Sequence, residues 1–408
     1  MSPIEHEIYY ATLPSGLRVV AAKRDSVVEH CGVAINAGSR DESSDRYGLA
    51  HFVEHTIFKG THRRRAWHIL NRMELVGGEL NAYTTKEETL LYSTFPAGNL
   101  SRAVDLISDL VIDSQFPSAE LDRERLVVAD EIDSYLDVPS EGIFDDFEEL
   151  IFAGSSLAHN ILGDKESLQR FDSEICRSYL DSFYTPNEMV FFYSGPETPD
   201  KVIKIAEKYF ASLNRKDKVR DRVNPAVLER FDIVRHIDTH QAHTVLGARV
   251  DGMMSDDRYA VALLTNMLGG PGMNSLLNVA LRERRGLVYT VDAGTTLMSD
   301  TGLFTIYFGC DSEDVNKCVR LVGNVISKLA ETPLSARRLE EAKKQYAGQL
   351  TVASTNSEQG ALSMARSTLY RGYAMSATEV ISEINRLTPD DIQRIAATLT
   401  SLSRLTLC

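Results

Sequence analysis

The sequence predicts an α+β protein made of two homologous halves, each a mixed, mostly antiparallel sheet with helices packed on one face. Three observations lead there. The 408 residues exceed what a single hydrophobic core organises, so two or more domains are expected. Segments with strand character and segments with helical spacing both recur along the chain. A short block also repeats: Asp45-Arg46-Tyr47-Gly48-Leu49-Ala50 is echoed 212 residues later by Asp257-Arg258-Tyr259-Ala260-Val261-Ala262.

Taken in order, Ile8 to Leu13 and Leu17 to Ala22 read as strands around the turn Pro14-Ser15-Gly16, and a third strand runs through Val33-Ala34-Ile35. Gly38 to Asp45 is a polar loop. Leu49, Phe52, Val53, Ile57 and Phe58 then follow a helical spacing that closes at Gly60, a residue suited to the left-handed turn after a helix. Arg63-Arg64-Arg65 opens another helix through Ile69, Leu70, Met73 and Leu75. The basic triplet reads as a solvated helix start, with phosphate binding as the alternative. Gly77-Gly78 turns the chain into a strand that includes Asn81 and Ala82, and Thr89 to Phe95 pairs after it. Small residues there leave a strand edge bare enough to accept a peptide as an added strand, although an ordinary hairpin fits the same residues.

Helical spacing resumes from Ala103 to Leu110 and from Ser118 to Tyr135. Glu124 and Glu131 share a face of that second helix. The neighbours Leu126, Val127, Val128, Ala129 and Ile132 suggest that the helix is largely buried, which singles out Glu131. A strand from Met189 to Ser194 and a helix through Ile203 to Leu213 close the first half, residues 1–213. The polar run from Asn214 to Pro225 gives a linker over 214–228, leaving 229–408 as the second half.

The chemistry concentrates in His51-Phe52-Val53-Glu54-His55. On a helix His51, Glu54 and His55 leave one face together. Two imidazoles there can hold zinc, and the carboxylate beside them can take the proton of an activated water. This is the His-x-x-Glu-His order of the inverzincins. The five residues alone also fit two satisfied core histidines. Three titratable groups on an apolar helix are costly unless a metal or a partner compensates them. A catalytic zinc site needs a third protein ligand from elsewhere in the chain. Continuing the repeat sets His51 against Leu263, Glu54 against Asn266 and His55 against Met267, with Lys343 or Lys344 opposite Glu131. Only the first half keeps metal-binding residues.

Composition narrows the class. A net charge of −14 argues against nucleic acid as a partner. No apolar run approaches the ~18 residues that would span a bilayer. The start, Met1 to Glu7, has neither a basic nor an apolar segment, so the chain is expected to work in the cytoplasm. Cys31, Cys176, Cys310, Cys318 and Cys408 lack paired spacing and read as reduced thiols.

At these motifs the chain resembles the pitrilysin and insulin-degrading enzyme family of zinc metallopeptidases, most closely its short branch, which includes the mitochondrial processing peptidase. The resemblance covers nearly the whole chain. It rests on Gly48 to His55, Phe58-Lys59-Gly60-Thr61, Gly77-Gly78 with Asn81 to Thr84, Glu124-Arg125 through Glu131, Ile161-Leu162-Gly163, Tyr184 with Pro186-Asn187, and Arg282-Glu283 with Arg285 to Tyr289.

The resemblance implies that Glu131 is the third metal ligand beside His51 and His55, with one Zn2+ per chain and Glu54 as the base. It implies that Glu124 supports the site from behind the ligands. It also implies that Asn81 and Ala82 hold the substrate backbone, and that Arg282 and Tyr289 polarise the scissile carbonyl and hold substrate. The expected activity is endoproteolysis of short or unfolded peptides enclosed in a chamber between the two halves. The alternative is a catalytically silent peptide-binding or scaffold subunit. Longer family members carry four such repeats, so a chain with two implies a dimer. A homodimer is the simpler expectation, with a paralogous partner subunit as the alternative.

Overall fold

The computed structural model describes residues 7–217, 220 and 222–408. Met1 to His6 of the N-terminal reading, and Lys218, Val219 and Asp221 of the expected linker, lie outside the described residues. The chain groups into two compact units. The first holds the residues up to Asp133, His159–Arg222 and Ala353–Ser376; the second holds Ser134–Ala158, Val223–Val352 and Ala377–Cys408.

In the first unit six strands form one sheet: β1 (Ile8–Thr12), β2 (Arg18–Lys23), β3 (Val28–Ile35), β4 (Glu79–Thr84), β5 (Thr89–Pro96) and β6 (Met189–Gly195), in the order β1-β2-β6-β3-β5-β4. Only β2 and β6 pair in parallel. The second unit has β7 (Asp232–Arg235), β8 (Ala242–Val250), β9 (Val288–Leu297), β10 (Gly302–Cys310) and β11 (Ser403–Leu407), in the order β7-β11-β8-β10-β9. Here only β7 and β11 are parallel. Set side by side, β2-β6-β3-β5-β4 and β7-β11-β8-β10-β9 are one topology written twice, down to the position of the parallel pair. The duplication read from a six-residue echo is therefore a duplication of five sheet strands, with β1 added at the edge of the first sheet.

The sheets carry helices on both faces, which amends the expectation of a single helical face. Along the strands of the first sheet, Val19, Val33, Leu91 and Phe191 point into the layer that contains Phe52, Leu106 and Leu110. Their neighbours Val20, Ala34, Leu90 and Phe192 point the other way, against Ala361, Leu362 and Leu369 of the helix Ser357–Arg371. Successive strand residues face opposite sides, so two apolar neighbours in a row require two covers. The second sheet repeats this. Leu246, Phe304 and Ile306 face the main helical layer, while Val245, Leu303 and Leu405 meet Ile143 and Phe147 of the helix Pro139–Ile151. Each unit thus takes one helix from the other half of the sequence, and the units are not simply residues 1–213 and 229–408.

All five cysteines are free thiols, four of them buried and Cys408 half-buried. Among the described residues no helix is long and apolar enough to cross a membrane.

Candidate metal centre

The helix Leu49–Thr56 buries Leu49, Phe52, Val53 and Thr56 in the first core and then tightens into a 3-10 turn, Ile57–Lys59, before Gly60. Its start needs glycine. Gly48 holds φ at 92°, and a Cβ there would meet the Leu162 carbonyl oxygen at 2.5 Å. The opposing Gly163 is as tight, since its own Cβ would lie 2.2 Å from the Tyr47 carbonyl oxygen. With no side chain at Gly48 to cap the helix, the buried Glu42 carboxylate does so, accepting from Gly48 N at 2.9 Å and Ala50 N at 2.6 Å. His159 lies 3.1 Å from that carboxylate and stacks on Tyr47 with ring centres 3.7 Å apart. Gly48→Ala should therefore lose roughly 2–4 kcal/mol, the left-handed penalty plus a backbone clash. Chemical denaturation checks this, and wild-type stability in that variant would contradict it.

The helix brings His51 and His55 to one point, and the helix Ser118–Leu136 delivers Glu131 to the same point. One donor atom from each lies within 4.8 Å of the others. Glu131 Oε2 is 3.7 Å from His51 Nε2 and 3.4 Å from His55 Nε2. His51 is buried, and its Nδ1 has no hydrogen-bond partner among the described residues. Burial, with His55 beside it, pushes the His51 imidazolium down to about 3. His51 is thus a neutral ring with a free lone pair at ordinary pH.

On the other side of His55, Nδ1 is 3.1 Å from Glu124 Oε1, and Glu124 Oε2 accepts from Lys59 Nζ at 2.7 Å. An N–H at Nδ1 aimed at Glu124 leaves Nε2 as the nitrogen that faces Glu131 and His51. Burial raises the Glu124 carboxyl, but hydrogen bonds from His55 and Lys59 outweigh it and hold the group below its usual range. Burial also works against His55 as a cation, yet the Glu124 hydrogen bond and the charges of Glu54, Glu131 and Glu124 leave its pKa raised. Glu54 is pushed up by burial, against hydrogen bonds from the Thr84 hydroxyl and backbone.

Two imidazole nitrogens and a carboxylate oxygen, converging with the second nitrogen of one ring tied to a carboxylate, form a donor set that suits zinc. The route to Glu131 from its neighbours needs correction. Leu126 and Val127 are 70% and 51% exposed, so the helix is not largely buried and its apolar run does not mark the site. Lys59 and Thr84 also serve the site, through Glu124 and Glu54, and the only sequence signal for either is that Lys59 stands one turn beyond His55. Glu42 gave no signal at all, being one acid in a polar loop.

Asn81 and Ala82 sit on β4, the outermost strand of its sheet, paired on one side only, with Tyr92 and Leu91. Arg282 and Tyr289 belong to the second unit. Arg282 is exposed on a π-helical segment, Asn278–Glu283. Tyr289 is exposed at the start of β9, its hydroxyl donating to Asp311 Oδ1 at 3.3 Å. The second unit's counterpart of the metal cluster is closed. Leu263 is buried where His51 stands in the first, Asn266 donates to Gln349 Oε1 at 2.8 Å, and buried Lys343 donates to Glu340 Oε1 and the Asn385 carbonyl, both at 3.0 Å.

Fold and site together define a duplicated α+β protein in which one unit keeps a metal-capable His/His/Glu cluster and the other has lost it. The comparisons with known proteins give the family. Residues 18–165 match the family described as Insulinase (Peptidase family M16), and residues 170–346 match the Peptidase M16 inactive domain. The chain is 31% identical to the uncharacterized zinc protease YmxG of Bacillus subtilis, over 95% of this chain and 94% of that protein. It is 27% identical to the mitochondrial-processing peptidase subunit beta of Dictyostelium discoideum, over 97% of this chain and 87% of that one. A protease structure from Helicobacter pylori shares the fold, with a TM-score of 0.90 at 21% identity, covering 98% of this chain and 99% of the other. The chain belongs to peptidase family M16.

Proposed function

We propose that the chain is a zinc-dependent endopeptidase acting on short or unfolded peptides. The observation that carries this reading is the convergence of His51, His55 and Glu131 with Glu54 one helical step away. His51, His55 and Glu131 would hold one zinc ion. When bound, zinc supplies Lewis-acid chemistry at the scissile carbonyl and makes a water acidic enough to be deprotonated near neutral pH. Glu54, its carboxyl raised by burial and oriented by Thr84, takes the proton of the attacking water and passes it to the leaving amine. The open edge of β4 receives an extended peptide as an added strand at Asn81 and Ala82, which favours unfolded segments over compact proteins.

Arg282 and Tyr289 carry the role of a cation and a phenol for the charge that develops on the carbonyl oxygen. Cleavage of a quenched peptide library by zinc-loaded protein tests the whole reading, and the same assay on Arg282→Ala and Tyr289→Phe tests the two second-unit residues. Zinc-loaded protein that binds peptides and cleaves none would overturn the reading in favour of a silent peptide-binding subunit. We also propose a homodimer, since twofold pairs are the commonest soluble assemblies. Light scattering at concentrations where activity is full should return the mass of two chains; a monomer, or a copurifying paralogous chain, would contradict it.

A further inference from the structure

A second feature of the first unit is not used by the metal centre. The helices Ala66–Glu74 and Leu100–Asp113, with the segment before the first of them, frame an open cleft of about 320 Å³. Arg63, Arg64, Arg72, Arg102 and Trp67 line it. Two carboxylates brace these guanidinium groups. The Asp109 side chain is fully buried and Asp105 nearly so. Arg64 pairs with both. Arg63 reaches Asp109 at 2.8 Å and Asp105 at 3.2 Å, and Arg72 reaches Asp105 at 3.0 Å. Three guanidinium groups therefore share two carboxylates, and Arg102 lines the same cleft without one.

The carboxylates explain why the arginines are held rigid; they do not neutralise them. Arg72 Nε is buried with no partner among the described residues. Arg102 donates from Nε to the Arg72 carbonyl, and no described residue accepts from its two terminal nitrogens. Arg72 Nε is closed to solvent, so the donors an anion in the cleft can reach are the terminal nitrogens of Arg102, with those of the one-third exposed Arg72 beside them. The charge is local, because the chain as a whole carries −14. At the cleft stands Trp67, 66% exposed and the only tryptophan in the sequence. A bare indole offers a stacking platform for a planar ring.

We propose that this cleft binds a phosphate-bearing ligand with a planar ring, a nucleotide being the chemical class that carries both parts. The phosphate oxygens accept from the terminal nitrogens of Arg102 and Arg72, and the base lies on Trp67. Of the basic triplet, Arg63 and Arg64 form a wall of this cleft, held on Asp105 and Asp109, and Arg65 does not line it.

Because Trp67 is unique, its fluorescence reports on this cleft alone, and the test does not depend on peptidase activity. Full-length protein is titrated at constant ionic strength with AMP, inorganic phosphate and chloride. AMP should give a saturable change with Kd below about 1 mM. Inorganic phosphate should bind roughly tenfold more weakly for want of stacking. Arg102→Gln should weaken AMP binding roughly tenfold, with Arg102→Lys falling between it and the wild type. A response to AMP that is linear, or equalled by chloride, overturns the site. Equal affinity for AMP and phosphate overturns the nucleotide class, and unchanged binding in the well-folded Arg102→Gln protein overturns the assigned residues.

Discussion

Glu54→Gln should abolish peptide cleavage while leaving the zinc content at that of the wild type. Glutamine keeps the size of the side chain and an oxygen for the Thr84 donors that orient Glu54. What it removes is the ability to accept a proton. General-base contributions are typically about 10²–10⁴-fold, so turnover should fall by at least ~10²-fold. The three proposed ligands are untouched, so metal analysis should still return one zinc per chain, and peptide affinity should be close to that of the wild type. Turnover at the wild-type rate in this variant would remove Glu54 from the mechanism. Loss of zinc together with loss of turnover would mean that Glu54 holds the site together and is not simply the base.

Much of this was open to a reader of the sequence, for reasons that differ from residue to residue. The helix bearing His51, Glu54 and His55 announces itself because its apolar positions fall at helical spacing and a glycine ends it, and both signals are local. The pairing of β4 with β5 is equally local, the register following from a short turn. Glu131 is another matter. No periodicity connects residues 55 and 131, and the apolar run beside Glu131 faces solvent at Leu126 and Val127. Only the family resemblance points to Glu131, since its helix is not buried as its neighbours suggest. The two helices that cover the outer faces of the sheets were hidden for a related cause. The apolar run Met189 to Tyr193 in β6 says that both of its faces are buried, but it does not say by what. The covering segments, Pro139–Ile151 and Ser357–Arg371, each lie far along the chain from the strands they cover. Glu42 was invisible because a cap made by a residue seven positions before the helix, through backbone amides alone, leaves no mark in composition.

The arrangement around His55 allows the support of the metal to be separated from its ligation. Glu131→Gln replaces a charged oxygen ligand by a weak neutral one, and should lower zinc affinity more than about 100-fold, beyond the range seen when only an outer partner is lost. Glu124→Gln leaves all three ligands in place. It removes the charge that favours an N–H at His55 Nδ1 and leaves the Lys59 ammonium, 2.7 Å from that carboxylate in the parent, without its counter-charge. Its loss should be about 10–100-fold. Competition with a graded chelator measures both, and heat gives an independent check. Zinc that binds only the folded chain stabilises it by mass action, about 2.7 kcal/mol at a hundred times Kd. In saturating zinc the wild type should therefore melt highest, Glu124→Gln lower and Glu131→Gln lowest. Stripped of metal, the spread should narrow, because most of the difference is carried by the ion. If Glu131→Gln keeps one zinc at parental affinity, the third ligand lies elsewhere and Glu131 is only an ion-pair partner of His51 and His55. If Glu124→Gln loses as much affinity as Glu131→Gln, the carboxylate behind His55 acts as a ligand in its own right.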